Sequence, residues 1–164
     1  MDSKDIEARF KELEDKVRVL EDLEAIQRLQ KAYGYYLEHW MVEELIDLFA
    51  DDAETELSLR VGRYLGKAGV KRYFEGEPDR AHNPEFLHQV MQLSGIVDIA
   101  TGGQTAEGRW YGFGAVALPA GKGVLPRISF GIYTSGYIKE NGKWKLWKLI
   151  WNPLYTGSPL ETWV

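Results

Sequence analysis

Cysteine is absent from this chain of 164 residues. That absence excludes disulfide bonds and thiolate chemistry, and it favours a cytoplasmic protein over a secreted one. No apolar run approaches the roughly 20 residues that a membrane-spanning helix needs. The charged first residues, MDSKDIEARF, lack the apolar region of a secretory signal peptide. We therefore predict a cytoplasmic protein that does not interact with membranes.

Basic residues are few and scattered. Lys and Arg together number 20 against 25 Asp and Glu, which gives a net charge of −5. Nucleic-acid-binding domains carry a clustered basic surface, so we expect no nucleic-acid partner. The histidines, His39, His82 and His88, form no HxH or HExxH pattern, and we predict no metal site. The sequence also has no Gly-rich phosphate loop after a strand and no nucleophile elbow. We predict no cofactor.

Aromatic residues are abundant: the chain has six Trp and nine Tyr. Aromatic side chains at this density fill either a core or a flat hydrophobic binding site. The length favours one domain with a sizeable core. We therefore expect a single domain, over residues 21–164, whose chemistry comes from carboxylates, tyrosines and histidines.

An apolar stripe precedes that domain, and we interpret residues 1–20 as an N-terminal helical extension. Its apolar residues recur at spacings of 4, 3, 4 and 3, as in a short coiled coil, and they are Ile6, Phe10, Leu13, Val17 and Leu20. The stripe either lies on its own domain or packs on a neighbouring subunit. The sequence leaves both alternatives open.

The rest of the sequence predicts helices followed by strands. Helical periodicity runs from Leu20 to about Glu38-His39 and again from Val42 to Phe49, and a short helix carries Val70, Tyr73 and Phe74. Loops are expected at 75–85 and 119–126, and Asn141-Gly142 predicts a tight hairpin. The predicted strands are Ala53–Leu59, Tyr64-Leu65, Phe86–Ile99, Ala106–Leu118, Arg127–Lys139 and Lys143–Trp151. This order is typical of an α+β fold in which the N-terminal helices pack on a cone-shaped, curved, mixed or antiparallel sheet.

Alternation along the strands sorts the aromatic residues by face, without saying which face is inward. Arg109 and Tyr111 share a face that Trp110 does not. Strict alternation also puts Trp147 and Trp151 on one face, opposite Trp144 and Asn152.

Tyr33, Glu38 and His88 are the candidates for acid–base chemistry. A histidine acts as a base near neutral pH, a carboxylate partner fixes its tautomer, and a buried tyrosine donates to a developing oxyanion. Each residue also has a purely structural interpretation: Tyr33 as a core tyrosine, Glu38 as a solvated carboxylate and His88 as a core histidine. Tyr33 and Glu38 are about 140° apart on an ideal helix, so they converge only if the last turn loosens, as Gly34 would permit.

Four segments of the chain resemble the SnoaL-like branch of the nuclear transport factor two-like superfamily. They are the run AIQRLQKAYGYYLEHWMVEELIDLFADDAETEL, the His88 strand, the segment AEGRWY from Ala106 to Tyr111 and the closing GYIKENGKWKLWKL. The resemblance covers Leu20 to Trp151. It implies a cystatin-like α+β barrel and a homo-oligomer, with a trimer favoured over a dimer.

Within that superfamily the chain is most similar to the scytalone dehydratase, bile-acid dehydratase and hexachlorocyclohexane dehydrochlorinase group. The resemblance implies a cofactor-independent acid–base site in which a histidine at His88 pairs with an acid at Glu38, joined by a tyrosine at Tyr33. The acid is usually Asp in that group, and here it is Glu. The longer side chain shifts the carboxylate by about one bond length, and such dyads depend on position.

The implied function is a dehydratase-type lyase acting on a small hydrophobic, oxygenated aromatic or polycyclic compound. The alternatives are a retro-aldol lyase that releases formaldehyde from lignin-derived aromatics, a ring isomerase or cyclase, a small-molecule binding protein without turnover, and an assembly module that works through its N-terminal stripe. The candidate substrate-binding residues are Trp40, Arg109, Tyr111, Tyr133, Trp151 and Asn152.

Overall fold

Three helices and six strands make up the described part of the chain. A computed structural model describes residues 2–52, 54–59, 62–76, 87–120 and 123–157, and only the backbone at 87–88, 118–120 and 123–125. The elements are α1 (Ser3–Glu38), α2 (Val42–Asp47), β1 (Glu56–Leu59), β2 (Gly62–Leu65), α3 (Gly66–Gly76), β3 (Leu87–Ile99), β4 (Thr105–Ala120), β5 (Gly123–Glu140) and β6 (Lys143–Gly157).

The strands form one curved, mixed sheet in the order β2-β1-β6-β5-β4-β3. Strands β3 to β6 are an antiparallel meander, and β1 pairs parallel with β6 and antiparallel with β2. The predicted α+β class, with N-terminal helices packed on a curved sheet, is confirmed. The sheet is not closed into a barrel, because β2 and β3 are its edges.

The β4–β5 hairpin differs from the expected loop at 119–126. The two strands remain paired as far as Ala120 opposite Gly123, through Pro119 and Pro126. Proline is tolerated in strands where its missing N–H faces no partner. Both prolines lie beyond the last described pairs with β3 and β6, so each strand there has a partner on one side only among the described residues. The predicted turn at Asn141-Gly142 is confirmed, with φ of 51° and 76°, as a type I′ hairpin requires.

A β-bulge changes the faces of β6. The register between β5 and β6 shifts at Gly136/Tyr137, and a bulge adds one residue to one strand. Trp144 is consequently buried in the core with Leu146, whereas Trp147 lies on the other face, against Gly136. The prediction that Trp147 shares a face with Trp151, opposite Trp144, is therefore wrong.

Helix α1 is 36 residues long and continues without a break from the N-terminal extension into the domain. It begins with a capping box in which Asp2 and Asp5 bond each other's backbone N–H groups, which satisfies two otherwise unpaired donors. Its buried face begins at Asp22. No helix within the described ranges is both long enough and apolar enough to cross a membrane.

Asp22 fixes α1 to the β5–β6 hairpin. Its carboxylate accepts a hydrogen bond of 2.8 Å from the Trp144 indole and one of 2.9 Å from the Lys139 ammonium group. Both charged side chains are largely buried, at 16% and 12% exposure for Lys139 and Asp22. A buried ion pair specifies geometry more than it adds stability, so this contact sets where α1 meets the sheet.

A row of polar groups crosses the core beneath α1. The Trp110 indole donates to the Tyr137 hydroxyl over 2.9 Å, and that hydroxyl donates to the Gln30 amide oxygen over 2.6 Å. The Gln30 amide in turn donates to Gln92 on β3. Buried polar groups are favourable when they are paired in this way. The row fixes the rotation of α1 about its own axis.

Gly34 lets α1 approach β3 closely. A Cβ atom at this position would lie 2.7 Å from the Val90 carbonyl oxygen. Real Cβ contacts do not reach that distance with backbone, so helix and strand would have to separate to admit a side chain. Glycine is therefore required here by the distance between two backbones.

We expect Gly34→Ala to destabilise the protein by about 1–3 kcal/mol because of overpacking. Alanine normally stabilises a helix relative to glycine by about 0.5–1 kcal/mol, so the predicted sign is reversed. The measurement is the urea unfolding midpoint. Gly76→Ala is the matched control, because a Cβ at Gly76 would meet nothing within 4 Å. A gain in stability for Gly34→Ala would contradict the close approach.

Candidate active site

Helix α1 ends at Glu38 with a tryptophan in an unusual position. The Met41 N–H bonds the Tyr36 carbonyl over 2.9 Å and the Trp40 N–H bonds the Leu37 carbonyl over 3.3 Å, the two bonds of a Schellman motif. Trp40 occupies the place that glycine usually takes, with φ of 52°. Its ring packs edge-on against Phe74 at 6.3 Å. This packing offsets a backbone conformation that costs about 1 kcal/mol or more. The predicted end of the helix near Glu38-His39 is confirmed.

Glu38 is exposed at this end and bonds to β3. Its carboxylate accepts a hydrogen bond of 3.0 Å from the Gln89 side-chain amide. Gln89 is the residue that follows His88, whose backbone pairs with Val116 on β4. The His88 side chain lies outside the described residues, as does all of His82. The contact shows that the end of α1 meets the first residues of β3.

His39 is turned away from that junction. Its Nδ1 lies 2.8 Å from the Tyr35 carbonyl oxygen of its own helix, and its ring stacks on the Tyr35 ring at 4.1 Å. His39, the histidine next to Glu38 in sequence, thus makes its contacts with its own helix.

Tyr33 lies in the aromatic interior, at 1% exposure. Its ring makes edge contacts with Phe49 at 6.4 Å and Tyr133 at 6.2 Å. Tyr133 in turn packs against Trp151 at 4.4 Å. Tyr33, Tyr133 and Trp151, three of the residues selected from the sequence, are therefore brought together from α1, β5 and β6.

Burial controls the protonation of these tyrosines. Loss of solvation raises the pKa of Tyr33 well above its ordinary value, and the neighbouring phenols of Tyr133 and Tyr73 raise it further. The pKa of Tyr133 is also raised, by its burial first and by the Tyr73 phenol second. Desolvation disfavours the phenolate, so both hydroxyl groups are neutral hydrogen-bond donors at physiological pH.

Two residues of this cluster were not selected from the sequence. Tyr73 reaches it from α3, packed between Tyr64 at 4.8 Å and Phe74 at 4.9 Å. Gly112 lies under the aromatic pair, because a Cβ there would be 2.3 Å from the Trp151 ring and 2.7 Å from the Tyr133 ring. A glycine inside a strand is a signal for such a close approach.

Three selected residues do not join the cluster. Tyr133 on β5 pairs with Trp110 on β4 and with Trp151 on β6, so these side chains share the inner face. Arg109 and Tyr111 flank Trp110, and Asn152 follows Trp151, so alternation places all three on the outer face. Tyr111 is 61% exposed there.

A cavity of about 480 Å³ lies at the beginning of β4, at Thr105 to Glu107, away from the Tyr33 cluster. Four acidic residues line it, together with Ile138 and Trp147, and they are Asp52, Glu54, Asp98 and Glu107. It shares no lining residue with the Tyr33 cluster. In the part of the chain that the structure describes, no three His, Cys, Asp or Glu residues are grouped to hold a metal ion.

Burial of Tyr33 predicts a loss of stability at high pH. Its folded pKa is raised above the unfolded value near 10, so the stabilisation is complete below pH 10 and is lost as pH rises above it. When the pH is raised from 8 to 11, the free energy of unfolding falls in every variant. We expect this fall to be about 1.4 kcal/mol smaller for Tyr33→Phe than for the wild type. Chemical denaturation at both pH values measures this. Tyr35→Phe, at a 56% exposed position, is the control; equal losses in all three proteins would contradict the prediction.

The comparison with known families identifies one match. The family model of the SnoaL-like domain matches residues 18–150, which confirms the resemblance seen in the sequence. No curated protein matches the chain.

Several solved structures share the fold. A proposed scytalone dehydratase from Novosphingobium aromaticivorans superposes with a TM-score of 0.73 at 21% identity, over 90% of this chain and 93% of that one. A hexachlorocyclohexane dehydrochlorinase, LinA-type3 from Novosphingobium barchaimii, gives 0.68 at 19% identity, over 90% and 96%. An NTF2-like protein with a cystatin-like fold from N. aromaticivorans gives 0.66 at 21% identity, over 87% and 88%. At these identities the superpositions show the fold alone, and with the match over residues 18–150 they lead to one conclusion: this chain belongs to the SnoaL-like domain family.

Proposed function

We propose that this protein is a cofactor-independent lyase, which eliminates water from a small hydrophobic, oxygenated ring compound by acid–base chemistry. The proposed catalytic residues are His88, Glu38 and Tyr33. The observation that carries the proposal is the meeting of the end of α1 with the first residues of β3, where Glu38 bonds Gln89 next to the His88 backbone. The match to the SnoaL-like family, whose structural relatives include a dehydrochlorinase, supports the same reaction class.

Glu38 would orient and stabilise the His88 imidazolium. Consecutive residues of a strand point to opposite faces, so Glu38 would leave Gln89 to bond His88. Its exposure gives the longer glutamate side chain room to turn. A carboxylate partner holds the imidazole in one tautomer and favours the protonated ring after proton abstraction.

Tyr33 would act as a hydrogen-bond donor and not as the acid. Because burial raises the pKa of Tyr33, its phenolate is a poor product of any proton transfer. In the proposed step His88 takes a proton from carbon, the adjacent C–O bond breaks, and a double bond forms. The departing hydroxyl accepts a hydrogen bond from Tyr33, takes the proton from the His88 imidazolium and leaves as water, so the base returns to its starting state.

The aromatic surroundings favour a flat substrate. Tyr133 and Trp151 form a tilted stack at 4.4 Å, and Trp40 packs with Phe74 at the end of α1. Aromatic faces bind planar rings through dispersion and apolar burial, and they exclude water from the reacting groups. We therefore propose hydroxylated aromatic or polycyclic compounds as the substrate class.

The dyad is tested with a panel of hydroxylated aromatics and steroids, using mass spectrometry to detect dehydration and a trapping reagent to detect formaldehyde. On a substrate that is converted, we expect His88→Ala to lower kcat about 10³-fold and Glu38→Gln about 10²-fold. Glu44→Gln, an exposed carboxylate on α2, is the control and should keep full activity. Full turnover by His88→Ala would refute the mechanism. Detection of trapped formaldehyde would show that the reaction is a retro-aldol cleavage and not a dehydration.

Tyr33→Phe tests the donor. Removing one donor to a developing oxyanion lowers kcat about 10²-fold or more, and we expect KM to change little because the ring and its packing remain. Steady-state kinetics on the same substrate give both constants. A Tyr33→Phe enzyme with the wild-type kcat would assign the hydroxyl group to packing alone.

The contact between Glu38 and Gln89 also supports a second candidate, a small-molecule binding protein without turnover. In the described residues Glu38 bonds an amide and is exposed, as a carboxylate with no catalytic partner would be. This candidate predicts that panel compounds bind without being converted, and that Glu38→Gln changes only their affinity. Calorimetric titration alongside the activity screen separates the two functions.

A further inference from the structure

The first half of α1 carries an apolar stripe that the described part of the chain does not cover. Residues 3–21 of this helix are exposed at all positions except Asp15. The stripe residues are Ile6 at 40% exposure, Phe10 at 63%, Leu13 at 56%, Val17 at 51% and Leu20 at 65%. Apolar side chains in a continuous exposed row mark an interaction surface.

The stripe faces away from the domain to which it is attached. At about 100° per residue, the stripe and the buried face of α1 that begins at Asp22 lie about 160° apart around the helix axis. The stripe therefore does not lie on the described part of its own domain. The apolar row also stops at Leu20, since Glu24, Gln27 and Lys31 take the same positions in the next turns.

The charges beside the stripe are sorted by sign. In heptad notation Ile6, Leu13 and Leu20 are d positions, and Phe10 and Val17 are a positions. The e positions on one side are all acidic, and they are Glu7, Glu14 and Glu21. The g positions on the other side, Arg9 and Lys16, are basic.

That sorting favours one partner and one orientation. In a parallel pair of identical helices each g residue meets the e residue five positions later in the partner. Arg9 would meet Glu14 of the second copy, and Lys16 would meet Glu21 of the second copy. In an antiparallel pair, e would meet e and g would meet g, which places like charges together.

We propose that residues 3–21 of α1 pair with the same segment of a second copy of this chain, as a parallel two-stranded coiled coil. Val17 at a, between Leu13 and Leu20 at d, is the combination that favours two strands. The segment is short for an isolated coil, but it is the continuation of a helix that is already docked on its domain, so the unfavourable nucleation step is avoided. Because the stripe faces away from the domain, the two domains lie on opposite sides of the seam.

The local ion pair of Lys16 does not oppose this exchange. Lys16 bonds Glu12 in its own helix over 2.6 Å, with both side chains about two-thirds exposed, at 65% and 64%. Exposed pairs of this kind contribute little. Lys16 can therefore turn to Glu21 of the second copy.

Charge reversal tests the pairing. We expect Glu14→Lys/Glu21→Lys to weaken self-association of the full chain on the order of 100-fold, since four cross-helix attractions per dimer become repulsions. Arg9→Glu/Lys16→Glu should do the same, and an equimolar mixture of the two variants should associate again. Sedimentation equilibrium measures the dissociation constants, and circular dichroism checks that each variant stays folded.

The control is Glu12→Lys/Asp15→Lys, which makes the same change in net charge away from the seam. It should associate as the wild type does. Equal weakening by both acidic-to-basic variants would overturn the proposal, because the effect would then come from net charge. Unchanged association of Glu14→Lys/Glu21→Lys would overturn it as well.

Orientation is tested by disulfide capture, which the absence of cysteine makes simple. Under mild oxidation Ser3→Cys, at an a position, should form a covalent dimer, because parallel arms bring the two sulfurs together. Antiparallel arms would hold them tens of ångströms apart at about 1.5 Å per residue. Ala8→Cys, on the helix side opposite the seam, is the control. Equal capture by both variants, or no capture by Ser3→Cys, would overturn the parallel pairing.

Discussion

The close approach of α1 to β3 is the constraint on which the rest of the structure depends. Gly34 brings the helix backbone against the Val90 carbonyl, where no side chain fits. One turn later Glu38 reaches Gln89. One residue before the glycine, Tyr33 enters the aromatic interior. A single backbone contact thus positions both helix residues of the proposed site relative to β3.

Other parts of the fold hold that contact in register. The pairing of Asp22 with Lys139 and Trp144 fixes α1 at one end of the sheet, and the polar row from Gln30 to Tyr137 fixes its rotation. Polar groups buried in this way are favourable only when paired, so they allow one seating of the helix. The apolar core then gives most of the stability without having to specify the alignment.

Much of this arrangement could be predicted from local patterns. Helical periodicity correctly predicted the end of α1, and Asn141-Gly142 correctly predicted the β5–β6 hairpin, because both features depend on residues that are close in sequence. The face of Trp147 could not be predicted, because a bulge depends on pairing with the partner strand. Nor could the outer position of Arg109 be read from alternation, which sorts faces without naming the inner one. Tyr73 was missed because its place depends on how α3 packs.

The central claim is that Glu38 and His88 form one acid–base dyad at the junction of α1 and β3. The most direct measurement is the distance between the Glu38 carboxylate and the His88 imidazole in a crystal of the protein with a bound hydroxylated aromatic compound. The account predicts a charge-assisted hydrogen bond of about 2.7–2.9 Å, with the ligand oxygen at the Tyr33 hydroxyl. A carboxylate bonded to Gln89 alone, with the imidazole beyond hydrogen-bonding distance, would contradict it.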